Sequence, residues 1–137
     1  MIAGIDIRIP TRLGTASVEV AVRVIKQVWP HAVFENGLTG ERYHRFQQIP
    51  FGKIEEIFVY RDRASADVWD EEGAVPAASN SMIHVIADED MVTLVVDENT
   101  NEMIEIINSV ETALSDVLLK VPARTPLSVP GSPGTDP

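Results

Sequence analysis

The sequence of 137 residues contains no cysteine. This absence excludes disulfide bonds, thiolate ligands for zinc or iron–sulfur clusters, and a cysteine nucleophile. A chain without thiols is compatible with a reducing compartment. We therefore expect a cytoplasmic protein.

Long apolar segments are also missing. No run of the sequence approaches the roughly 18–20 apolar residues that a membrane-spanning helix requires. The N-terminal residues Met1–Arg8 lack a basic segment followed by an apolar block, which is the pattern of a secretory signal peptide. The sequence therefore predicts a soluble protein that neither crosses nor binds a membrane.

Sequence signatures of catalysis and of metal binding are absent. There is no Gly-x-Ser-x-Gly elbow, no phosphate-binding Gly-x-x-x-x-Gly-Lys loop and no dinucleotide fingerprint. The histidines His31, His44 and His84 lack the helical i,i+4 spacing of a zinc site. The acidic segment Asp88–Asp90 lacks the glycine and the spacing of an EF-hand loop. We predict no metal, no cofactor and no catalytic residue, and we favour a protein that is not an enzyme.

Positive charge is scarce in the second half of the chain. Residues 61–120 contain three Lys or Arg and fourteen Asp or Glu, whereas residues 1–60 contain seven and six. This charge distribution disfavours nucleic acid as a direct partner, because phosphates bind to clustered positive charge. An acidic surface fits a basic protein partner, and it equally keeps a small protein soluble. The sequence leaves both explanations open.

The chain is organised around the stretch from Met82 to Glu98. Two apolar runs rich in β-branched residues, Met82–Ala87 and Met91–Val96, flank the three-residue acidic turn. Runs of this length and composition predict a β-hairpin, which we place at the centre of a sheet. The apolar spacing from about Asn101 to Leu119 predicts an amphipathic helix that covers this hairpin.

The rest of the chain supplies further strands and helices. Period-two alternation, helical spacing and the positions of Pro, Gly and Asn predict four more strands and two more helices. The strands lie at 5–9, 31–35, 41–48 and 54–60, and the helices at 16–29 and 65–72. Ser65 and Asn99 are the expected N-caps of the last two helices.

These elements follow the order β-α-β-β-β-(short α)-β-β-α. The order predicts an α+β fold: a two-layer sandwich with a mostly antiparallel sheet of five to six strands and two long helices on one face. Residues 1–120 form the single expected domain, and the Pro- and Gly-rich residues 121–137 form a C-terminal tail. The opposite face of the sheet is left open to solvent, a partner or a ligand.

Candidate binding residues lie on the expected open face and in the acidic segments. His84 alternates with Ile83 and Val85, so it faces away from the helices if the helices cover those two side chains. Aromatic side chains of the neighbouring strands can share the same face and form the apolar centre of an interface. The candidate set is His84, Tyr43, Arg45, Tyr60, Asp70, Glu71, Glu72, Asp88, Glu89 and Asp90.

A basic group, formed by Arg42, His44, Arg45 and Lys53, surrounds the third predicted strand. This group has two explanations. It can bind an anion or the acidic half of another copy, or it can belong to a mixed-charge edge strand that discourages aggregation of the sheet.

These patterns favour a non-enzymatic protein-interaction module that binds a basic protein through the open sheet face and the acidic segments. The short, cysteine-free, acidic α+β pattern resembles bacterial immunity proteins, which neutralise basic toxins, and the likeness consists of size and charge. An immunity-type or regulatory protein is the concrete hypothesis. The alternative is a small-molecule-binding or enzymatic domain with a pocket near His84. A third hypothesis is a homodimer in which residues 121–137 pack on a neighbouring copy.

Overall fold

The computed structural model describes residues 5–72, 81–97 and 100–120. The strands are β1 Ile5–Pro10, β2 Val33–Asn36, β3 Arg42–Tyr43, β4 Glu56–Tyr60, β5 Met82–Ala87 and β6 Met91–Val96. The helices are α1 Ala16–Val28, α2 Arg63–Glu72 and α3 Asn101–Lys120. The strands form one sheet with the order β1-β6-β5-β4-β2-β3, and every neighbouring pair is antiparallel. The predicted α+β fold is confirmed.

The predicted hairpin is confirmed as well. β5 pairs with β6 in a register that places His84 opposite Val95. Burial alternates along β5: Ile83 and Val85 are fully buried, whereas His84 and Ile86 are half-buried. Such alternation is expected of an antiparallel sheet whose two faces differ in their covering.

The two long helices, α1 and α3, pack together and share one apolar core with the sheet. Their buried side chains meet the side chains of β1, β4, β5 and β6 that point to the same face. The large buried members of this core include Phe34, Ile25, Ile57, Ile83, Leu94, Met103 and Ile106. Burying a side chain of this kind contributes roughly 1.5–3 kcal/mol. The prediction of two long helices on one face is therefore correct.

The short helix α2 lies on the opposite face. Its Ala66 is fully buried against Val33 of β2 and Tyr60 of β4, and Trp69 and Phe58 pack around this second, smaller cluster. α2 therefore covers the part of the face that β2 and β4 form. The element order had suggested that this face is wholly open, and that expectation is wrong.

The predicted strand at 41–48 is wrong over most of its length. β3 ends at Tyr43, and a 3-10 turn follows at Phe46–Gln48. The Gln48 side-chain oxygen accepts hydrogen bonds from the backbone N–H groups of His44 and Arg45, at 3.0 and 3.2 Å. A side chain that satisfies these donors replaces the ladder bonds of a longer strand, so the strand is short.

The cap predicted for α2 is also wrong. The Asp62 carboxylate accepts a hydrogen bond from the Ser65 backbone N–H at 2.8 Å, so Asp62 is the N-cap. α2 therefore begins at Arg63, before the predicted start at residue 65. The same hydrogen bond lowers the pKa of Asp62. At α3, the Thr100 hydroxyl accepts from the Met103 N–H at 3.3 Å. Asn99 and the tail 121–137 lie outside the described residues, as do residues 73–80 between α2 and β5.

Candidate functional site

The part of the second sheet face that α2 leaves uncovered lies on β1, β6, β5 and the start of β4. Ile86 and Val95 are half-buried there and belong to neither apolar cluster. We call this surface the open half-face. Its side chains are Asp6, Arg8, Glu56, His84, Ile86, Met91, Thr93 and Val95.

His84 lies at the centre of the open half-face, as its position in the strand predicts. Its Nε2 is 2.7 Å from Oε2 of Glu56, and its ring stacks on Phe58 with 4.2 Å between the ring centroids. His84 and Phe58 are directly opposite in the register of β5 and β4. The Ala87 N–H donates to the Glu55 carbonyl, so these two residues form a hydrogen-bonded pair, and such pairs alternate with non-hydrogen-bonded pairs along the two strands. This alternation decides which type of pair His84 and Phe58 form. It makes His84 and Phe58 a non-hydrogen-bonded pair, in which side chains approach most closely.

The contact between Glu56 and His84 is not by itself a catalytic arrangement. A carboxylate that orients an imidazole is part of a hydrolytic triad, which also needs a hydroxyl or thiol within hydrogen-bond reach of the imidazole. Within the described residues, Glu56 is the hydrogen-bond partner of the His84 ring, and no hydroxyl is bonded to it. The pair therefore fixes an imidazole on a surface, which suits binding.

Gly37 makes room for the Glu56 side chain. The Gly37 N–H donates to the Glu56 carbonyl at 2.9 Å, so the two residues are neighbours across β2 and β4. A Cβ atom at Gly37 would lie 2.4 Å from Cγ and 3.0 Å from Oε2 of Glu56. Any side chain at this position would therefore displace the carboxylate that reaches His84.

The Gly37→Ala variant is expected to lose the contact between Glu56 and His84 and to be destabilised by about 1–3 kcal/mol, since the added methyl overpacks the site. The measurement is the free energy of unfolding in urea, together with the NMR chemical shifts of the His84 ring. The double variant Gly37→Ala/Glu56→Ala is the control. It should be more stable than Gly37→Ala, because it removes the side chain that the methyl displaces. A double variant no more stable than Gly37→Ala would show that the clash is absent.

An ionic cluster around Arg42 attaches α2 to the sheet. The Arg42 guanidinium donates to Oδ1 of Asp67 at 2.9 Å and forms a second ion pair with Asp70. Glu35 lies opposite Arg42 in the register of β2 and β3, and its carboxyl group interacts with that of Asp70. Tyr60 is buried beside these groups. Two carboxylates therefore pair with one guanidinium at the junction of α2, β2 and β3, and Glu35 lies beside them.

Burial and charge shift the pKa values in this cluster. Desolvation, together with the charge of Asp70 and the hydrogen bond to it, raises the pKa of Glu35. Burial also raises the pKa of the Tyr60 hydroxyl, and the negative charges of Glu35 and Asp70 add to this effect. The hydrogen bond to Asp67 is the largest cause of the raised pKa of Arg42. Each shift favours the protonated form of the group concerned.

The Glu35→Gln variant is expected to be more stable than the parent protein at neutral pH. Because the folded-state pKa of Glu35 is raised, the native state binds more protons than the unfolded state between the ordinary pKa of 4.5 and the folded pKa. Stability therefore falls as the pH rises through that interval. The glutamine removes this loss, so its advantage should vanish below pH 4.5. Thermal unfolding across this pH range is the measurement, and an advantage that persists at the acid end would contradict the pKa shift.

The acidic turn Asp88–Asp90 lies at the end of the open half-face where β5 passes into β6. The Asp90 N–H donates to the Asp88 side chain at 2.9 Å, and the three carboxylates are exposed. Glu71 is exposed near the end of α2, and Glu72 is the last residue of that helix. The acidic candidates therefore occupy two separate positions, and only the turn borders the open half-face.

Tyr43 and Arg45 are not part of the open half-face. Tyr43 is buried in the main apolar core, because its strand places it on the helix-covered side. Arg45 lines a groove of about 340 Å³ between the end of α1 and the 3-10 turn, together with Lys26 and His44. The predicted basic group does not form one cluster. Arg42 pairs with carboxylates of α2, whereas His44 and Arg45 line this groove.

The sequence interpretation missed Glu56 on the open half-face. The available signal was the strand register: once Phe58 lies opposite His84, Glu56 must lie on the same face two residues away. It also missed Glu35 and Asp67 in the ionic cluster. That cluster forms only because α2 lies on the second face, which the order of the elements does not specify.

The described part of the chain contains no group of three or more His, Asp or Glu side chains that could hold a metal ion. Among the helices of residues 5–72, 81–97 and 100–120, none has the length and apolar content needed to cross a membrane. Comparisons with models of protein families, with curated proteins and with solved structures found no match for this chain.

Proposed function

We propose that this chain is a non-enzymatic protein-interaction module, of the immunity or regulatory type, which binds a basic protein through the open half-face. The observation that carries the proposal is the composition of this surface. It has apolar side chains and an aromatic–imidazole stack at its centre and carboxylates around them. Protein interfaces have the same arrangement, with an apolar or aromatic centre inside a polar rim.

The centre of the surface is formed by side chains that a partner can cover together. Val95 lies directly opposite His84, and Ile86 lies two residues along β5 on the same face. Phe58 stacks on the other side of the His84 ring. The contact with Glu56 holds that ring in place before binding, so little conformational entropy is lost when a partner docks.

The rim of the surface is acidic. Asp6 and Glu56 are the carboxylates of the open half-face and Arg8 is its cation, and the exposed carboxylates of Asp88, Glu89 and Asp90 lie in the turn at its end. Complementary charge increases the association rate and rejects partners of the wrong sign. Salt screens exposed charges, so an interaction of this kind weakens as the ionic strength rises.

The experiment is to capture a partner from native lysate at low salt, to identify it, and then to measure its affinity for variants of the chain. We expect a basic protein whose affinity falls at least about tenfold for Ile86→Lys, because a charge at the centre of an interface must be desolvated. Leu38→Lys is the matched control, since Leu38 is 72% exposed in the turn between β2 and β3. Its affinity for the partner should not change.

Two results would contradict the proposal. One is a partner that binds Ile86→Lys as tightly as the parent chain and is insensitive to salt, since its contacts would then lie on another surface. The other is the capture of no basic protein at either low or high salt.

A further inference from the structure

β1 is an edge strand, and its outer side is not paired with any strand of the described residues. The Thr11 N–H donates to the Asp90 carbonyl at 2.9 Å, in continuation of the register between β1 and β6. In an antiparallel ladder, hydrogen-bonded positions recur at every second residue. Ile7 therefore directs its backbone groups towards β6, and Asp6 and Arg8 direct theirs outward.

We propose that β1 pairs with β1 of a second copy of this chain, in an antiparallel register centred on Ile7. The phase of the ladder allows Asp6 and Arg8 to bond only with outward-pointing residues of the second copy. Centring on Ile7 places Asp6 opposite Arg8 of the second copy. Shifting the centre by one residue places Asp6 opposite Asp6, or Arg8 opposite Arg8. Charge therefore selects one of the three registers, because like charges directly opposite each other are destabilising.

The side chains of β1 support this register. Arg8 and Asp6 are 66% and 50% exposed, and their contact within one chain is long, at 3.7 Å. Such an exposed pair contributes little by itself, so both charges remain able to bind the oppositely charged side chains of a second copy. On the other face, Ile5 and Ile7 are only partly buried against the core. In the centred register, Ile7 packs against Ile7 of the second copy and more of this apolar surface is buried.

Pro10 limits the extent of the pairing. Proline has no backbone N–H, so it cannot donate to a strand on the outer side of β1. Charges and prolines on an edge strand also discourage unspecific pairing. A purely protective edge strand would carry charges that repel every second copy. In β1, by contrast, Asp6 and Arg8 have opposite signs, so each attracts the other residue of a second copy in the register centred on Ile7. The two sheets would then continue across a two-fold axis, with the open half-faces next to each other.

The test is the mass of the full-length chain by sedimentation equilibrium, from low to high micromolar concentration. We expect the parent chain to approach twice its 15.1 kDa monomer mass. Arg8→Asp and Asp6→Arg should each weaken self-association about tenfold or more, because each places like charges opposite each other. A mixture of these two variants should dimerise, since every Asp then meets an Arg. The double variant Asp6→Arg/Arg8→Asp should dimerise with itself for the same reason.

Arg23→Glu is the control, because Arg23 lies on α1 and pairs with Glu19 of the same helix. It should dimerise as the parent chain does. A parent chain that stays monomeric at all concentrations would overturn the proposal. Single-charge variants that dimerise like the parent would overturn it too. Circular dichroism verifies that each variant is folded, and recovery in the mixture separates a lost interface from a lost fold.

Discussion

Replacing Ile106 with alanine is expected to lower the free energy of unfolding by about 2–5 kcal/mol. Ile106 lies on α3 and is fully buried in the core that this helix shares with α1 and the sheet. The substitution removes buried methyl and methylene groups and leaves a cavity that the close-packed neighbours fill only in part. Urea unfolding followed by circular dichroism gives the difference, provided that the slope with urea is unchanged.

Ile104 provides a matched control on the same helix. It is the same residue type, two positions earlier, and it is 38% exposed. Ile104→Ala should cost less than about 1 kcal/mol, because a partly exposed side chain loses little burial and alanine has a high helix propensity. Equal losses for the two variants would mean that α3 does not cover the hairpin with the face described.

Replacing Arg42 with methionine is the second change with a large expected effect, a loss of about 1–3 kcal/mol. Arg42 is 22% exposed, and its removal leaves Asp67 and Asp70 without their cation beside Glu35. The two aspartates are about half exposed, so water screens part of the resulting repulsion. Methionine retains most of the apolar stem of arginine. The loss of stability therefore measures the effect of removing the charge and not the effect of removing packing contacts.

Two further variants serve as controls for Arg42→Met. Arg45→Met removes a guanidinium that forms no salt bridge within the described residues, so it should change stability by less than about 0.5 kcal/mol. The double variant Arg42→Met/Asp70→Asn should recover part of the loss, because it removes one of the crowded negative charges. Thermal unfolding measures both. A stability of Arg42→Met equal to that of the parent would show that the ionic cluster does not attach α2.

The hairpin and the long helices could be predicted because each leaves a periodic signal in the sequence. Val92, Leu94 and Val96 alternate with more polar or half-exposed positions, and the buried side chains of α3 recur at helical spacing. Both patterns arise because one face of each element is buried. An antiparallel sheet with two covering helices follows from these patterns and the short connections.

The position of α2 could not be predicted in the same way. Among residues 63–71 of this helix, Ala66 alone is completely buried, so the apolar signal is weak and does not specify which sheet face the helix covers. The face on which α2 packs is determined by contacts between residues that are distant in the sequence, such as the ion pairs from Arg42 to Asp67 and Asp70. Such contacts depend on the strand order, which local patterns do not determine. The pair of Glu56 and His84 was missed for a related reason, since it requires the register of β4 against β5.

The two faces of the sheet differ in what they contribute: one stabilises the fold, and the other provides the surface for the proposed binding. The face covered by α1 and α3 contains most of the large buried side chains and stabilises the fold. The other face is shared between α2 and the open half-face, where partly buried apolar groups lie beside carboxylates. The proposed binding function therefore depends on β5 and β6 presenting alternate residues to a packed core and to an accessible surface.

Cysteine labelling tests this division most directly, because the chain has no cysteine of its own. Single cysteines are introduced at Val92, Thr93, Leu94 and Val95, and the rate of reaction with a maleimide is measured under native conditions. We predict rapid labelling at Thr93 and Val95, and protection at Val92 and Leu94 until the protein is unfolded. Equal rates at all four positions, or protection at Thr93 and Val95, would contradict the open half-face.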